Sequence, residues 1–213
     1  MVFFQARRAS RFVLLALCFG GLPAGAAAVD AAAGQASYAV CAACHGARGE
    51  GNQAMNAPRL AGQSGWYLRR QIQAYQRGWR GTAPGDSYGM QMRPMAMAIG
   101  SPDALDNLVA YIGTLPDSPA TPTVAGDAAA GQAGYAVCVA CHGADAGGNE
   151  QLGAPALAGQ SDWYLVRQLK NYQQGLRAYV AQDTYGMQMK PMAATLSGDK
   201  AVNDVVAYIN SLR

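Results

Sequence analysis

Residues 41–45 read Cys-Ala-Ala-Cys-His, and residues 138–142 repeat the pattern as Cys-Val-Ala-Cys-His. A Cys-x-x-Cys-His sequence is the attachment signature of c-type haem. Each sulfur can add to a haem vinyl group as a thioether, and the adjacent imidazole can ligate the iron. The pattern therefore predicts two covalently bound haem c groups. Their predicted attachment residues are Cys41, Cys44, Cys138 and Cys141, and the predicted iron ligands are His45 and His142.

Two other chemistries use closely spaced cysteines. A structural zinc ion needs four nitrogen or sulfur ligands, whereas each copy offers three, and the remaining thiol, Cys18, lies far away near the N-terminus. A thioredoxin-like dithiol would sit in a βαβ setting, and no strand pattern flanks either copy. Both histidines of the chain lie in the two motifs. Haem attachment is therefore the favoured interpretation.

The first 28 residues are typical of a cleaved secretory signal. Arg7, Arg8 and Arg11 precede an apolar run over 12–19, and small residues follow up to Ala28, after which we expect cleavage. A retained anchor is the alternative, but the apolar run is shorter than the roughly 20 residues that span a bilayer. An exported chain with this motif is expected in the periplasm.

The net charge of +3 depends on this leader. It contains three of the 16 basic residues and no acid, so the remaining 13 basic residues balance the 13 acidic ones. This composition does not indicate a nucleic-acid surface.

The chain is an internal duplication with an offset of 97 residues and no insertion or deletion. For example, residues 60–64 and 157–161 both read Leu-Ala-Gly-Gln-Ser. Between the copies, residues 116–123 contain three prolines, which favour an extended, semi-rigid linker. We predict an N-terminal domain over 29–116, a linker over 117–123 and a C-terminal domain over 124–213.

Helical patterns predict an all-α fold. In the first copy, Asp30 is expected to cap a helix that runs into the haem motif, Ser64 a second helix, and Ser101 a third. In the second helix, the apolar positions recur as Leu68, Ile72, Tyr75 and Trp79, and Gly78 and Gly81 are expected to end it. A domain of this size has a thin core, so we expect the protein without haem to be poorly folded.

No histidine remains for the second axial position of either iron. A methionine sulfur there would raise the haem potential and suit electron transfer. Met55 and Met97 have no methionine counterpart in the second copy and are discarded. The motifs themselves leave three candidates for each iron, which are Met90, Met92 and Met95, and Met187, Met189 and Met192.

The combined pattern resembles the class I c-type cytochromes, and the tandem arrangement is similar to the dihaem cytochrome c4 family. In that family the ligand methionine usually lies seven residues before an apolar residue that opens onto the last helix. The resemblance implies Met92, seven residues before Ile99, and Met189, seven before Leu196. Ile99 with Gly100 departs from the usual Leu-Ser, which residues 196–197 keep.

The resemblance also implies that the carbonyls of Pro58 and Pro155 accept the Nδ1–H of the iron-binding imidazoles, which fixes the orientation of those rings. Six residues of the second helices are further candidates for contact with the haem propionates. They are Trp66, Tyr67, Arg70, Trp163, Tyr164 and Arg167.

The implied fold is two tandem class I cytochrome c domains, each a few helices around one covalent haem. The implied function is a periplasmic dihaem electron-transfer protein, not an enzyme, passing single electrons from a cytochrome bc complex to a haem-copper terminal oxidase. Any association with a membrane would be through those partners. The alternative is the dihaem electron-accepting subunit of a periplasmic dehydrogenase such as a flavocytochrome. A dihaem peroxidase would need an open iron site, which two methionine-ligated haems do not leave.

Overall fold

The computed structural model describes residues 1–2 and 28–212, so the predicted signal peptide over 1–28 lies almost entirely outside the described part. Within that part there are nine helices, two isolated β-bridges and no strand, which confirms the predicted all-α fold. None of these helices is long and apolar enough to cross a membrane. The helices are α1 Ala31–His45, α2 Gly65–Gln76, α3 Ser87–Met97, α4 Pro102–Thr114, α5 Ala128–Tyr135, α6 Val139–His142, α7 Asp162–Gln173, α8 Thr184–Ala194 and α9 Gly198–Ser211.

In each domain the helix that leads to the haem motif crosses the last helix of that domain. The crossing is close because glycine lies at the contact: a Cβ on Gly34 would be 2.0 Å from the carbonyl oxygen of Asn107 in α4. Gly131 of α5 meets the carbonyl of Asp204 in α9 in the same way, where a Cβ would be 1.9 Å away. The crossing therefore sets the position of each haem motif relative to the core of its domain.

Two of the predicted helix caps are present. The Asp30 carboxylate accepts hydrogen bonds from the backbone N–H groups of residues 32 and 33, and the Ser101 hydroxyl accepts one from residue 104. Ser64 occupies the N-cap position of α2, but its side chain makes no capping bond. Helix α2 ends at Gln76, before Gly78, so Trp79, which was predicted as the last residue of its apolar stripe, lies outside the helix.

Two features of the helices differ from the sequence prediction. The methionine-rich segments form helices α3 and α8, which begin with capping bonds to the carboxylates of Asp86 and Asp183. The helix leading to the second haem motif is broken into α5 and α6, whereas α1 is continuous. Gly134 stands where the first copy has Ser37, and glycine is less favourable than serine in a helix because it lies about 1 kcal/mol below alanine, the best helix former.

Each domain has its own apolar core. In the first domain, Tyr38, Leu68, Ile72, Leu108 and Ile112 belong to one buried cluster contributed by α1, α2 and α4. The second domain repeats it with Tyr135, Leu165 and four aliphatic residues of α9. Each core forms one wall of a cleft in its own domain.

The two domains contact each other through an interface in which both use the same surface. Nη2 of Arg70 donates to the carbonyl of Gly153, and Nη2 of Arg167 donates to the carbonyl of Asn56, at 2.5 and 2.9 Å. Because these pairs are related by the 97-residue offset, the contact is made twice, as in an isologous dimer.

The connection between the domains is extended and held in place. Residues 116–127 contain no helix. Asp162, which is fully buried, accepts hydrogen bonds from the hydroxyl of Thr123 at 2.8 Å and from the backbone N–H of Val124 at 2.7 Å. Asp117 forms an ion pair with the buried Arg59. The exact domain limits at 116 and 124 stay a prediction.

Candidate haem sites

Each predicted haem motif lies at the C-terminal end of a helix and opens into a cleft. Cys41 and Cys44 are free thiols, half-buried and exposed respectively, and His45 is buried. The helix ends at Gly46 (φ +83°), whose carbonyl accepts a 2.7 Å hydrogen bond from the hydroxyl of Tyr38. The second motif has the same arrangement, with Tyr135 bonded to Gly143. These bonds hold the end of each motif against the core.

The two histidines are oriented by proline carbonyls. Nδ1 of His45 lies 2.8 Å from the carbonyl oxygen of Pro58, and Nδ1 of His142 lies 2.8 Å from that of Pro155. A carbonyl can only accept, so Nδ1 carries the proton and the lone pair is on Nε2. Burial lowers the pKa of both imidazoles below the ordinary value, and the carbonyls only partly oppose this. Both rings therefore stay neutral and can each offer Nε2 to a metal.

The clefts receive methionines from α3 and α8. Met92 lines the first cleft and Met189 the second, and both are half-buried against the apolar core. Met95 and Met192 also line the clefts, but they are 45% and 41% exposed. The remaining candidates, Met90 and Met187, are 49% and 43% exposed and line neither cleft. The greater exposure of the other four methionines favours Met92 and Met189 as the iron ligands, and this assignment stays a prediction.

Two glutamines position the methionine helices. The side-chain amide of Gln76 donates to the carbonyls of Ala96 and Ile99 at the end of α3. Gln173 makes the same pair of bonds to Ala193 and Leu196 at the end of α8. Sequence reasoning missed both residues, although the 97-residue repeat preserves them.

The shape and chemistry of the clefts fit a large, flat, mainly apolar group. The empty space in the first cleft is about 1390 Å³ and in the second about 1300 Å³, open solvent included. Leu68, Ile72, Leu108 and Ile112 form part of the wall of the first cleft. Nowhere in residues 28–212 do three histidine, cysteine or carboxylate side chains come together as a metal site.

The clefts of the two domains meet at the domain interface. Six side chains line both of them, which are Gln63, Tyr67, Gln71, Gln160, Tyr164 and Gln168. Arg70 of the first domain lines the second cleft, and Arg167 of the second domain lines the first. Trp66 and Trp163, which were candidates for propionate contact, line neither cleft.

Comparison with known proteins agrees with this geometry. A sequence model of cytochrome c matches the chain twice, over residues 31–116 and 128–213. The chain belongs to the cytochrome c family. Cytochrome c4 from Azotobacter vinelandii is 34% identical to this cytochrome, over 94% of this chain and 97% of that protein. The crystal structure of reduced recombinant cytochrome c4 from Pseudomonas stutzeri has a TM-score of 0.67 and 30% identity, covering 87% of this cytochrome and all of that chain.

A relative that is named for a different role is also similar. The "thiosulfate dehydrogenase electron acceptor" of Thiomonas intermedia (strain K12) is 32% identical over 83% of this cytochrome and 80% of that protein. The predicted relationship to cytochrome c4 is confirmed, and the cytochrome carries two covalently bound haem c groups. It is an electron-transfer protein whose partners are redox proteins.

Proposed function

We propose that this cytochrome is a periplasmic carrier that accepts single electrons from a cytochrome bc complex and passes them to a haem-copper terminal oxidase. The observation that carries the proposal is that each cleft holds one neutral, carbonyl-oriented histidine and one half-buried methionine. When bound, the two haems supply reversible one-electron exchange at iron. The protein contributes position and tuning.

The proposed ligand set explains why transfer, and not bond chemistry, is expected. His45 with Met92 would hold one iron and His142 with Met189 the other, each pair supplying one imidazole nitrogen and one thioether sulfur and leaving no ligand position for a substrate. The buried histidines and the apolar walls would keep water away from a bound iron, and a methionine sulfur ligand would raise its reduction potential. Cys41, Cys44, Cys138 and Cys141 would anchor the cofactors covalently, which keeps these positions fixed through each cycle.

The second candidate is an electron-accepting subunit of a periplasmic dehydrogenase. It is favoured by the similarity to the thiosulfate dehydrogenase electron acceptor of Thiomonas intermedia. The fold and the ligand set fit both roles, because in each role a partner protein docks on the cytochrome and delivers or removes single electrons. The two roles differ in the donor.

The donor can be identified by rapid mixing of the oxidised holoprotein with candidate partners. Membranes containing a reduced cytochrome bc complex should reduce both haems within the turnover time of that complex, and terminal oxidase should reoxidise them. Affinity purification of the tagged chain from its native host is the second arm. Recovery of a stoichiometric flavin, quinoprotein or thiosulfate-oxidising subunit, together with slow reduction by the bc complex, would favour the dehydrogenase role and refute the proposed one.

A further inference from the structure

Arg59 is a buried cation that belongs to the first haem site alone. It is 3% exposed and lines the first cleft. The 97-residue offset places Ala156 at the same position of the second copy, so the second copy carries no charge there. Arg59 directly follows Pro58, whose carbonyl oxygen lies 2.8 Å from Nδ1 of His45. The chain segment that orients the first histidine therefore also carries this arginine.

Arg59 connects the first domain to the linker and to the second domain. Its Nη1 donates to the carbonyl of Gly159 in the second domain at 2.9 Å, and its Nη2 forms an ion pair with the carboxylate of Asp117 in the linker. The backbone carbonyl of Arg59 accepts a 3.0 Å hydrogen bond from the side-chain amide of Gln160. The segment beside Pro58 is therefore held from outside its own domain through both a side chain and the main chain.

The corresponding segment of the second copy is held through the main chain only. The side-chain amide of Gln63 donates to the carbonyl of Ala156 at 3.4 Å, which is the counterpart of the bond from Gln160 to Arg59. The methyl side chain of Ala156 can neither donate a hydrogen bond nor pair with a carboxylate. The two histidines thus have the same carbonyl partner but differ in the charge and the anchoring of the segment that provides it.

The two members of the Arg59–Asp117 ion pair differ strongly in their exposure to water. The side chain of Asp117 is 70% exposed, whereas that of Arg59 is 3% exposed. Water and salt screen the exposed carboxylate, but they screen the buried guanidinium much less. Nε of Arg59 is also buried and has no hydrogen-bond partner among the described residues. The pair therefore presents a net positive field to the first cleft, and the carboxylate only partly opposes it.

We propose that Arg59 raises the reduction potential of the first haem alone and that Asp117 of the linker limits this rise. A positive field favours the reduced, less positive state of a nearby iron. Arg59 acts through this field and through the segment that carries the carbonyl of Pro58, so it is a positioning residue and not an iron ligand. The inference rests on the two covalent haems and is independent of the donor and the acceptor.

The test is a redox titration of holoprotein in which the NMR signals of the two haems are followed separately. Arg59→Ala gives the first copy the residue of the second, and the equilibrium constant for electron exchange between the first haem and a fixed mediator should fall about threefold or more. Asp117→Asn should change this constant in the opposite direction. Arg48→Ala is the matched control, because Arg48 is exposed and lies three residues after His45. This control should leave both haems nearly unchanged.

The opposite signs separate this role from a merely structural one. Both variants break the same ion pair, so a loosened linker by itself would shift the first haem in the same direction in both. A second readout is solvent exchange of the Nδ1–H of His45, which should be faster in Arg59→Ala while that of His142 is unchanged. If Arg59→Ala loses a covalent haem, Arg59→Met, which fills similar space without charge, replaces it.

Three results would overturn the proposal. The first is a shift of the same sign in Arg59→Ala and Asp117→Asn. The second is an equal shift of both haems in Arg59→Ala, which would show that the arginine does not act on the first site alone. The third is a shift of the first haem in Arg59→Ala that is no larger than the shift in Arg48→Ala.

Discussion

The close crossing of α1 and α4 gives the sharpest prediction about stability. Replacing Gly34 by alanine places a Cβ 2.0 Å from the carbonyl oxygen of Asn107 and 2.5 Å from its carbonyl carbon. These are backbone atoms, so no side-chain rotation can relieve the overlap. The helices must separate, and because α1 ends in the Cys41–His45 motif, the haem site moves with it.

The expected size follows from two opposing effects. Alanine is more favourable than glycine within a helix by about 1 kcal/mol. Overpacking of a close contact costs about 1–3 kcal/mol, and a backbone overlap this short falls at the upper end of that range. Gly34→Ala should therefore lower the free energy of unfolding by about 1–2 kcal/mol, or the melting temperature by about 5–15 °C for a domain of this size.

Gly113→Ala provides the control. Gly113 lies in α4, and a Cβ there would meet nothing within 4 Å. This variant should be as stable as the wild type or slightly more stable. Both variants are compared as holoproteins with equal haem content, by thermal and denaturant unfolding followed by circular dichroism. The reasoning about the crossing is wrong if Gly34→Ala unfolds at or above the midpoint of Gly113→Ala.

Two further predictions concern the iron ligands and the linker. Met92→Ala and Met189→Ala should each lower the reduction potential of one haem and give a high-spin ferric spectrum for half of the haem. Met95→Ala is the control and should keep the wild-type spectrum. An unchanged spectrum of Met92→Ala would reject Met92 as the ligand. Burial would raise the pKa of Asp162, but hydrogen bonds from Val124, Thr123 and Trp163 outweigh it and lower that pKa below its ordinary 3.8. The wild type should therefore be more stable than Asp162→Asn above about pH 4, and this advantage should shrink as the pH falls toward the lowered pKa. If the unfolding midpoints of the two proteins differ equally at pH 3 and pH 7, the reasoning about Asp162 is wrong.

The sequence predicted most of the helices because their signals are local. The Asp30 and Ser101 caps and the apolar spacing of α2, α4 and α9 involve residues within a few turns of each other. Helices α3 and α8 escaped prediction because each contains a proline in an otherwise helical segment, Pro94 and Pro191, and shows little amphipathic pattern. Their order comes from long-range bonds, such as that of Gln76 to Ala96.

The candidate haem sites could be predicted in part from the motif and in part only from the resemblance. The Cys-x-x-Cys-His sequence carries its own chemistry, so the four cysteines and two histidines needed no fold. Three methionines per copy are equally good ligands by sequence, and their exposure is what separates Met92 from Met90 and Met95. Arg80 and Arg177, which are buried and line the first and second cleft respectively, carried no local signal, because spacing alone does not distinguish a buried arginine from a surface one.

The duplication explains why the domain interface is built as it is. A surface that meets its own copy forms every contact twice, so one favourable pair, such as Arg70 with the carbonyl of Gly153, also supplies Arg167 with that of Asn56. Covalent linkage then removes the need for exact symmetry. Asp162, which holds the linker, replaces Gly65 of the first copy, and Arg59, which pairs with Asp117, has Ala156 as its counterpart. These two asymmetric residues both contact the linker, whereas the six residues that line both clefts are identical in the two copies, as expected where one surface meets its own copy.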